Sequence, residues 1–192
     1  AAPTAGLHYD EVLLNELEST GFPLNRLTLH VGAGTFRPLS EGDISSHVMH
    51  EERCIITKSS LEQLANTKRR VATGTTTLRT LESLYWMAVV HKETGKFPRV
   101  IPQWTPYKDG QYHSRLTDFE NYEQAITYLL ENVSFDPIDL TWNFQTQIMI
   151  RPGYKILSII ALVTNFHQPG SSLLCLIAAC LDTPWKEVYE QA

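Results

Sequence analysis

The chain has 192 residues, of which 43% are hydrophobic and 19% charged, with a formal net charge of −5. That length suits one domain of ordinary size, or one and a small lobe, and allows a substantial core. The acidity excludes a uniformly basic nucleic-acid binder but permits a local basic patch. No apolar run approaches the roughly 20 residues that span a bilayer, so a soluble, cytoplasmic protein without membrane contact is expected. Three cysteines, Cys54, Cys175 and Cys180, are odd in number and lack metal-type spacing, which fits reduced thiols in the cytosol. The opening AAPTAGLHYDEVLL has no initiator methionine, basic n-region or signal-like segment, so it reads as a piece of a longer protein.

The segment Asp10–Thr20 carries Val12, Leu13, Leu14 and Leu17 at helical spacing, with Gly21 placed to end the helix. NRLTLHV then alternates Leu27, Leu29 and Val31 with Thr28 and His30, as a strand does, and runs into the glycine-rich turn GAGTFRP. Ser40–His50 is a loop or short helix, and RCIIT a strand. Ser59-x-x-Glu62 has the form of a capping box opening a helix that ends near Lys68-Arg69-Arg70. RVATG reads as a short buried strand, followed by a helix in which Leu78, Leu81, Tyr85 and Ala88 or Val89 form a stripe.

Residues 92–144 are less regular and read as a small α+β insertion with its own strands and one helix, DFENYEQAITYLLENV. QTQIMI and SIIALVT are two further strands. SSLLCLIAACL is a buried helix with Ser171 or Ser172 as N-cap, and a last helix starts with Thr183 at its N-cap and Pro184 at N1. Strands alternating with helices predict an α/β layer structure: a mainly parallel sheet with flanking helices.

Four polar loops punctuate this pattern: Pro3–His8, His30–Phe36, Gly74–Glu82 and Val163–Ser172. Taken singly each has an ordinary explanation. Gly32-x-Gly34 lacks the third glycine of a dinucleotide fingerprint, and Gly74-Thr75-Thr76-Thr77 has no P-loop lysine. As a helix N-terminus after a strand, that second segment suits a phosphate or a ribose hydroxyl. Arg79 and Glu82 stand three apart on one helix face, where they can simply pair. His47 and His50 lie beside Glu51 with no third ligand nearby, so no metal is expected. Collectively, strand exits that present histidine or hydroxyl clusters beside glycine or proline are hard to explain by packing, and in an open α/β sheet such exits gather where ligands bind.

Six blocks in order, APTAGLH (Ala2–His8), LHVGAGTFRP (Leu29–Pro38), HVMHEE (His47–Glu52), TGTTTLRTLES (Thr73–Ser83), PGY (Pro152–Tyr154) and TNFHQPGSSLL (Thr164–Leu174), resemble the S-adenosylmethionine:tRNA ribosyltransferase-isomerases of queuosine biosynthesis. The resemblance implies an enzyme that moves the ribosyl part of S-adenosylmethionine onto 7-aminomethyl-7-deazaguanine at the wobble position of tRNA. Epoxyqueuosine forms, and adenine and methionine leave. It implies a C5′ proton removed next to the sulfonium, adenine expelled as the ribose opens, attack by the aminomethyl nitrogen, and epoxide closure as methionine departs. It further implies a β-barrel lobe and a C-terminal tail beyond this sequence.

Such chemistry requires a base near C5′, a donor for the leaving adenine, and polar contacts for ribose hydroxyls and the methionine carboxylate. By residue type, His8, His30, His50 and His167 are the acid–base candidates. Gly74, Thr75, Thr76 and Thr77 with Arg79 are candidates to hold the carboxylate or a tRNA phosphate, and Asn165 to bond ribose or base. Thr4, Gly32, Gly34, Thr35, Glu82, Thr164 and Ser171 complete the expected substrate contacts. Two features depart from the family pattern. Ile160, expected as a buried strand residue, stands where the family usually has Asp, and the segment between RTLES and PGY is long. Its Trp104, Tyr107, Tyr112 and Trp142 beside Lys108 and Arg115 suit either stacking on anticodon bases or a small apolar core. These departures motivate one alternative, a non-catalytic tRNA-binding relative.

Overall fold

The computed structural model describes residues 4–32, 47–113, 118–181 and 184–191. It is a mixed α/β fold. A four-stranded sheet has the order β1 (Thr28–His30), β2 (Glu52–Thr57), β7 (Thr141–Thr146) and β4 (Val100–Ile101). β3 (Val71–Thr73) pairs with β8 (Ala161–Val163), and β5 (Tyr107–Lys108) with β6 (Gln111–Tyr112). The helices are α1 (Glu11–Ser19), α2 (Lys58–Asn66), α3 (Thr75–Thr94), α4 (Tyr122–Asn132), α5 (Ser172–Cys180) and α6 (Trp185–Glu190).

The expected mainly parallel sheet is corrected to a mixed one. β1 and β7 both run antiparallel to β2, and among the described residues only β4–β7 and β3–β8 are parallel. Alternating strands and helices give parallel neighbours only when each helix returns the chain to the same sheet. Here α2 instead leads out to β3, whose partner β8 arrives some 90 residues later along the chain. The strand expected at QTQIMI begins earlier: TWNFQT is β7, with Phe144 and Thr146 on its buried face.

Local chemistry explains the helix boundaries. Asp10 caps α1 by accepting from the Leu13 N–H at 2.8 Å. The expected capping box at Ser59 gives way to Thr57, two residues earlier, whose hydroxyl accepts from the Ser60 N–H. Ser171 caps α5 through the Leu174 N–H. Pro184 is the N-cap of α6 rather than its first residue, and Thr183 lies outside the described residues. The Asp109-Gly110 pair, both with positive φ, makes the tight turn between β5 and β6.

Helix α3 is the axis of the core. It is buried nearly all round: every residue from Leu78 to Val89 is buried, the polar Arg79, Thr80, Glu82 and Ser83 included. The segment 92–144, expected as an insertion, contributes to the same core. Tyr122, Ala125, Ile126 and Leu129 of α4 join the cluster of Ile56, Leu61, Leu84 and Trp86. Trp142 packs on Phe97 and Phe144, and Tyr112 on Tyr154. The expected buried strand at RVATG is only partly so: Ala72 is 1% exposed but Val71 58%. Ile160 is 56% exposed just before β8, where its N–H bonds the Arg70 carbonyl, so the expectation of a buried strand residue fails there. Among the described residues no helix is long and apolar enough to cross a membrane.

Candidate functional site

Parallel strands β3 and β8 deliver their carboxyl ends to one side of the fold. After Thr73 the chain turns through Gly74, at φ +92°, and enters α3 at Thr75. A β-carbon there has room, with its nearest neighbours at 3.8 and 3.9 Å, so it is the backbone angle that calls for glycine. The Gly74 N–H donates to the Val163 carbonyl at 2.8 Å, tying this turn to the end of β8. Beyond β8 runs the loop Thr164–Gly170, which Ser171 closes by capping α5. With the 3-10 turn Thr4–Gly6 and the segment from Leu27 to Val31, these loops enclose a cleft of about 480 Å³. That volume lies in the range of small-molecule sites, roughly 300–1,000 Å³.

The cleft wall is rich in hydroxyls with defined partners. Thr77 Oγ1 donates to the Thr73 carbonyl at 2.7 Å, and Thr76 Oγ1 to Glu52 Oε1 at 3.4 Å. Thr73 Oγ1 bonds the Tyr9 hydroxyl. Across the cleft, Thr164 Oγ1 and His167 Nε2 lie 3.1 Å apart, and the His167 N–H donates to the Tyr189 hydroxyl at 2.9 Å. Phe166 meets the same Tyr189 ring edge to face, so α6 holds this loop from behind. Partial burial pulls the His167 imidazole below its ordinary pKa, favouring the neutral ring.

Behind Thr76 lies a buried charge network. Arg79 Nη1 pairs with Glu52 Oε2 at 2.6 Å, and Arg79 Nε donates to the Ile148 carbonyl. The His50 ring reaches Glu52 Oε1 at 3.3 Å. Arg79 therefore pairs with Glu52 across the fold instead of with Glu82 on its own helix. Glu82 sits elsewhere in the core. Its Oε1 accepts from the N–H groups of Leu157 and Ser158 and from Ser158 Oγ, while Oε2 accepts from the Tyr154 hydroxyl. Burial pushes this carboxyl up, and those hydrogen bonds oppose the rise.

Of the residues expected from sequence, Thr4, Gly74, Thr75, Thr76, Thr164, Asn165 and His167 are brought together on the cleft wall. Ser171 caps the helix behind it. His8, His30 and Gly32 are exposed and do not line it, His50 lies behind with Glu52, and Arg79 and Glu82 are buried in the core. Gly34 and Thr35 lie outside the described residues. Thr77, also expected, lines the wall, to which the structure adds Thr28 and Thr73, and Glu52 and Tyr189 stand just behind it. Tyr189 carries no local signal in the sequence. A second, more open depression of about 500 Å³ beside α4, lined by Lys92, Phe119 and Glu123, holds none of the expected residues.

The basic run is also not a continuous surface. Arg70 is buried, paired with Glu123 at 2.8 Å and stacked over Tyr122, which leaves Lys68 and Arg69 exposed. Arg79 is likewise committed to a buried partner, Glu52, so neither Arg70 nor Arg79 adds to a basic surface with Lys68 and Arg69.

Fold and cleft together define a mixed α/β protein with a threonine-rich cleft of ligand size at the carboxyl ends of its parallel strand pair. Residues 1–192 match the family model described as queuosine biosynthesis protein, and the chain belongs to that family. A relative from Xanthomonas oryzae pv. oryzae, named S-adenosylmethionine:tRNA ribosyltransferase-isomerase, is 35% identical over 183 residues. One of the same name from Thiobacillus denitrificans is 34% identical. Each alignment covers 93% of this chain, and the chain spans 39% of each relative's length. The crystal structure of an S-adenosylmethionine tRNA ribosyltransferase from Thermotoga maritima is similar, with a TM-score of 0.57 at 26% identity. That match covers 98% of this chain and 45% of the other.

Proposed function

We propose that this chain supplies the small-molecule site of a cytoplasmic enzyme acting on tRNA. The enzyme transfers and isomerises the ribosyl group of S-adenosylmethionine onto 7-aminomethyl-7-deazaguanine, yielding epoxyqueuosine-tRNA, adenine and methionine. The observation that carries this reading is the convergence, on one cleft, of residues from four sequence blocks far apart in the chain: Thr4–Gly6, Leu29–Val31, Thr73–Thr77 and Thr164–His167. Packing alone gives no reason for polar segments separated by up to 160 residues to meet around a cavity of ligand size.

In this reading S-adenosylmethionine occupies the cleft as a substrate. His167 is the acid–base group, because it is the one candidate histidine on the wall and burial, by lowering its pKa, favours the neutral ring that can accept a proton. Asn165 is placed to contact ribose or base, and the amides at the start of α3 to face the anionic part of the ligand. The test mixes the intact protein with S-adenosylmethionine and tRNA carrying 7-aminomethyl-7-deazaguanine, and follows free adenine. Adenine released only when that tRNA is present supports the reading. TRNA binding without adenine release overturns it in favour of a non-catalytic relative.

A further inference from the structure

Two threonines on the cleft wall have their protons spoken for. Thr77 Oγ1 lies 2.7 Å from the Thr73 carbonyl, and Thr76 Oγ1 lies 3.4 Å from a carboxylate oxygen of Glu52. A carbonyl has no proton to give, and Glu52 is held in salt bridge by the buried Arg79 at 2.6 Å. In both bonds the hydroxyl proton therefore points into the protein. A hydroxyl has one proton and two lone pairs, so an oxygen that has donated inward can only accept from what lies in front of it. Thr76 and Thr77 are consecutive, and both line the cleft.

We infer that Thr76 and Thr77 form an acceptor pair that reads hydrogen-bond donors on the ligand, and that the group they read is the vicinal diol of a ribose. The pair does not hold a carboxylate or a phosphate, whose oxygens bring only further lone pairs; such groups belong at the backbone amides at the start of α3. Glu52 is then a positioning residue. It never touches the ligand but fixes which way the Thr76 hydroxyl points, and Arg79 fixes Glu52. This inference rests on the cleft being the ligand site proposed above, and it names the part of the ligand that this wall recognises.

The test measures binding of adenosine and of 2′,3′-dideoxyadenosine, which differ in the diol, to the wild type and to Thr76→Val, Thr77→Val, Thr76→Ser and Glu52→Gln. The wild type is expected to prefer adenosine. Each valine variant should weaken adenosine by about three- to tenfold and leave dideoxyadenosine unchanged, while Thr76→Ser should keep the wild-type preference. Glu52→Gln should weaken adenosine in the wild-type background and have no further effect once Thr76 is valine, a coupling that general destabilisation does not produce. If Glu52→Gln fails to fold, the threonine series decides alone. Equal affinity of the wild type for the two nucleosides, or equal losses for both in the valine variants, overturns the inference, as does absence of adenosine binding. If the valine variants weaken L-methionine but not adenosine, the donor is an ammonium and the ribose assignment falls. Diol-dependent binding without adenine release from modified tRNA would refute the proposed reaction and leave this inference standing. Adenine release without diol dependence would do the reverse.

Discussion

Glu82 separates a structural role from a ligand-binding one. Its carboxylate is fully buried and accepts four hydrogen bonds, from the Leu157 and Ser158 amides, the Ser158 hydroxyl and the Tyr154 hydroxyl, at 2.6 to 2.9 Å. The Tyr154 oxygen in turn accepts from Trp86 Nε1, so the network ties α3 to the chain leading into β8. In Glu82→Ala the two hydroxyls can rotate to other partners, but the two amides cannot. At about 1–3 kcal/mol for each unsatisfied buried donor, plus the cavity left behind, the loss is about 3–6 kcal/mol. Glu82→Gln keeps the carbonyl that serves three of the donors and sets an amide group against the Tyr154 hydroxyl, at about 1–2 kcal/mol. Urea unfolding reads both values. The sign of the pH dependence follows from the raised carboxyl pKa, above its ordinary 4.5. The native state holds the proton longer than the unfolded chain, so the stability of the wild type relative to Glu82→Gln is greatest below pH 4.5 and falls as pH rises above it. A Glu82→Ala protein within about 0.5 kcal/mol of wild type, but with weakened S-adenosylmethionine binding, would refute this reasoning and make Glu82 a substrate contact.

Three further outcomes follow from the cleft. Gly74→Ala forces an alanine to φ +92° with only ordinary contacts around its β-carbon, so it should lower unfolding free energy by about 1–3 kcal/mol in urea; an unchanged midpoint would show that the turn tolerates a side chain. Tyr189→Phe removes the acceptor of the His167 amide while keeping the ring against Phe166, so hydrogen exchange at that amide should quicken about tenfold with little loss of global stability. Unaltered exchange would mean that α6 does not hold the loop. The His167 imidazole should titrate below its ordinary 6.5 by NMR, because burial penalises its charged form, and a midpoint at or above 6.5 would contradict its placement on the wall.

Helices were the most legible part of the fold because their signals are local. The helical spacing of Val12, Leu13, Leu14 and Leu17 exposes α1, and the serine pair 171–172 marks the start of α5, which Ser171 caps through the Leu174 N–H. Strand pairing was not legible. TWNFQT alternates Trp142, Phe144 and Thr146 with Asn143 and Gln145, a period-2 pattern easily overlooked among polar side chains, and its partner β2 lies some 85 residues earlier in the chain. Whether β2 pairs parallel or antiparallel depends on where α2 takes the chain, which no window around β2 contains. The exposure of Ile160 has the same origin. Its apolar side chain predicts burial, but β3 and β8 form a two-stranded sheet among the described residues, and such a sheet does not cover both of its faces.

The site divides along the same line. Glycine and threonine at a strand exit can be read from sequence, and Gly74, Thr76 and Thr164, expected there, all line the cleft. What each group does in the cleft is fixed by partners that the local sequence does not contain. An isolated threonine can donate or accept; Thr76 becomes an acceptor toward the cleft because Glu52, 24 residues earlier, takes its proton, and Arg79 holds Glu52 there. The order of causes runs from the core outward. A buried ion pair sets a hydroxyl's direction, and that direction sets the chemistry the wall can recognise. Arg79 thus shapes the cleft without lining it, and its burial against Glu52 stands in place of the direct grip on an anion that its residue type suggests.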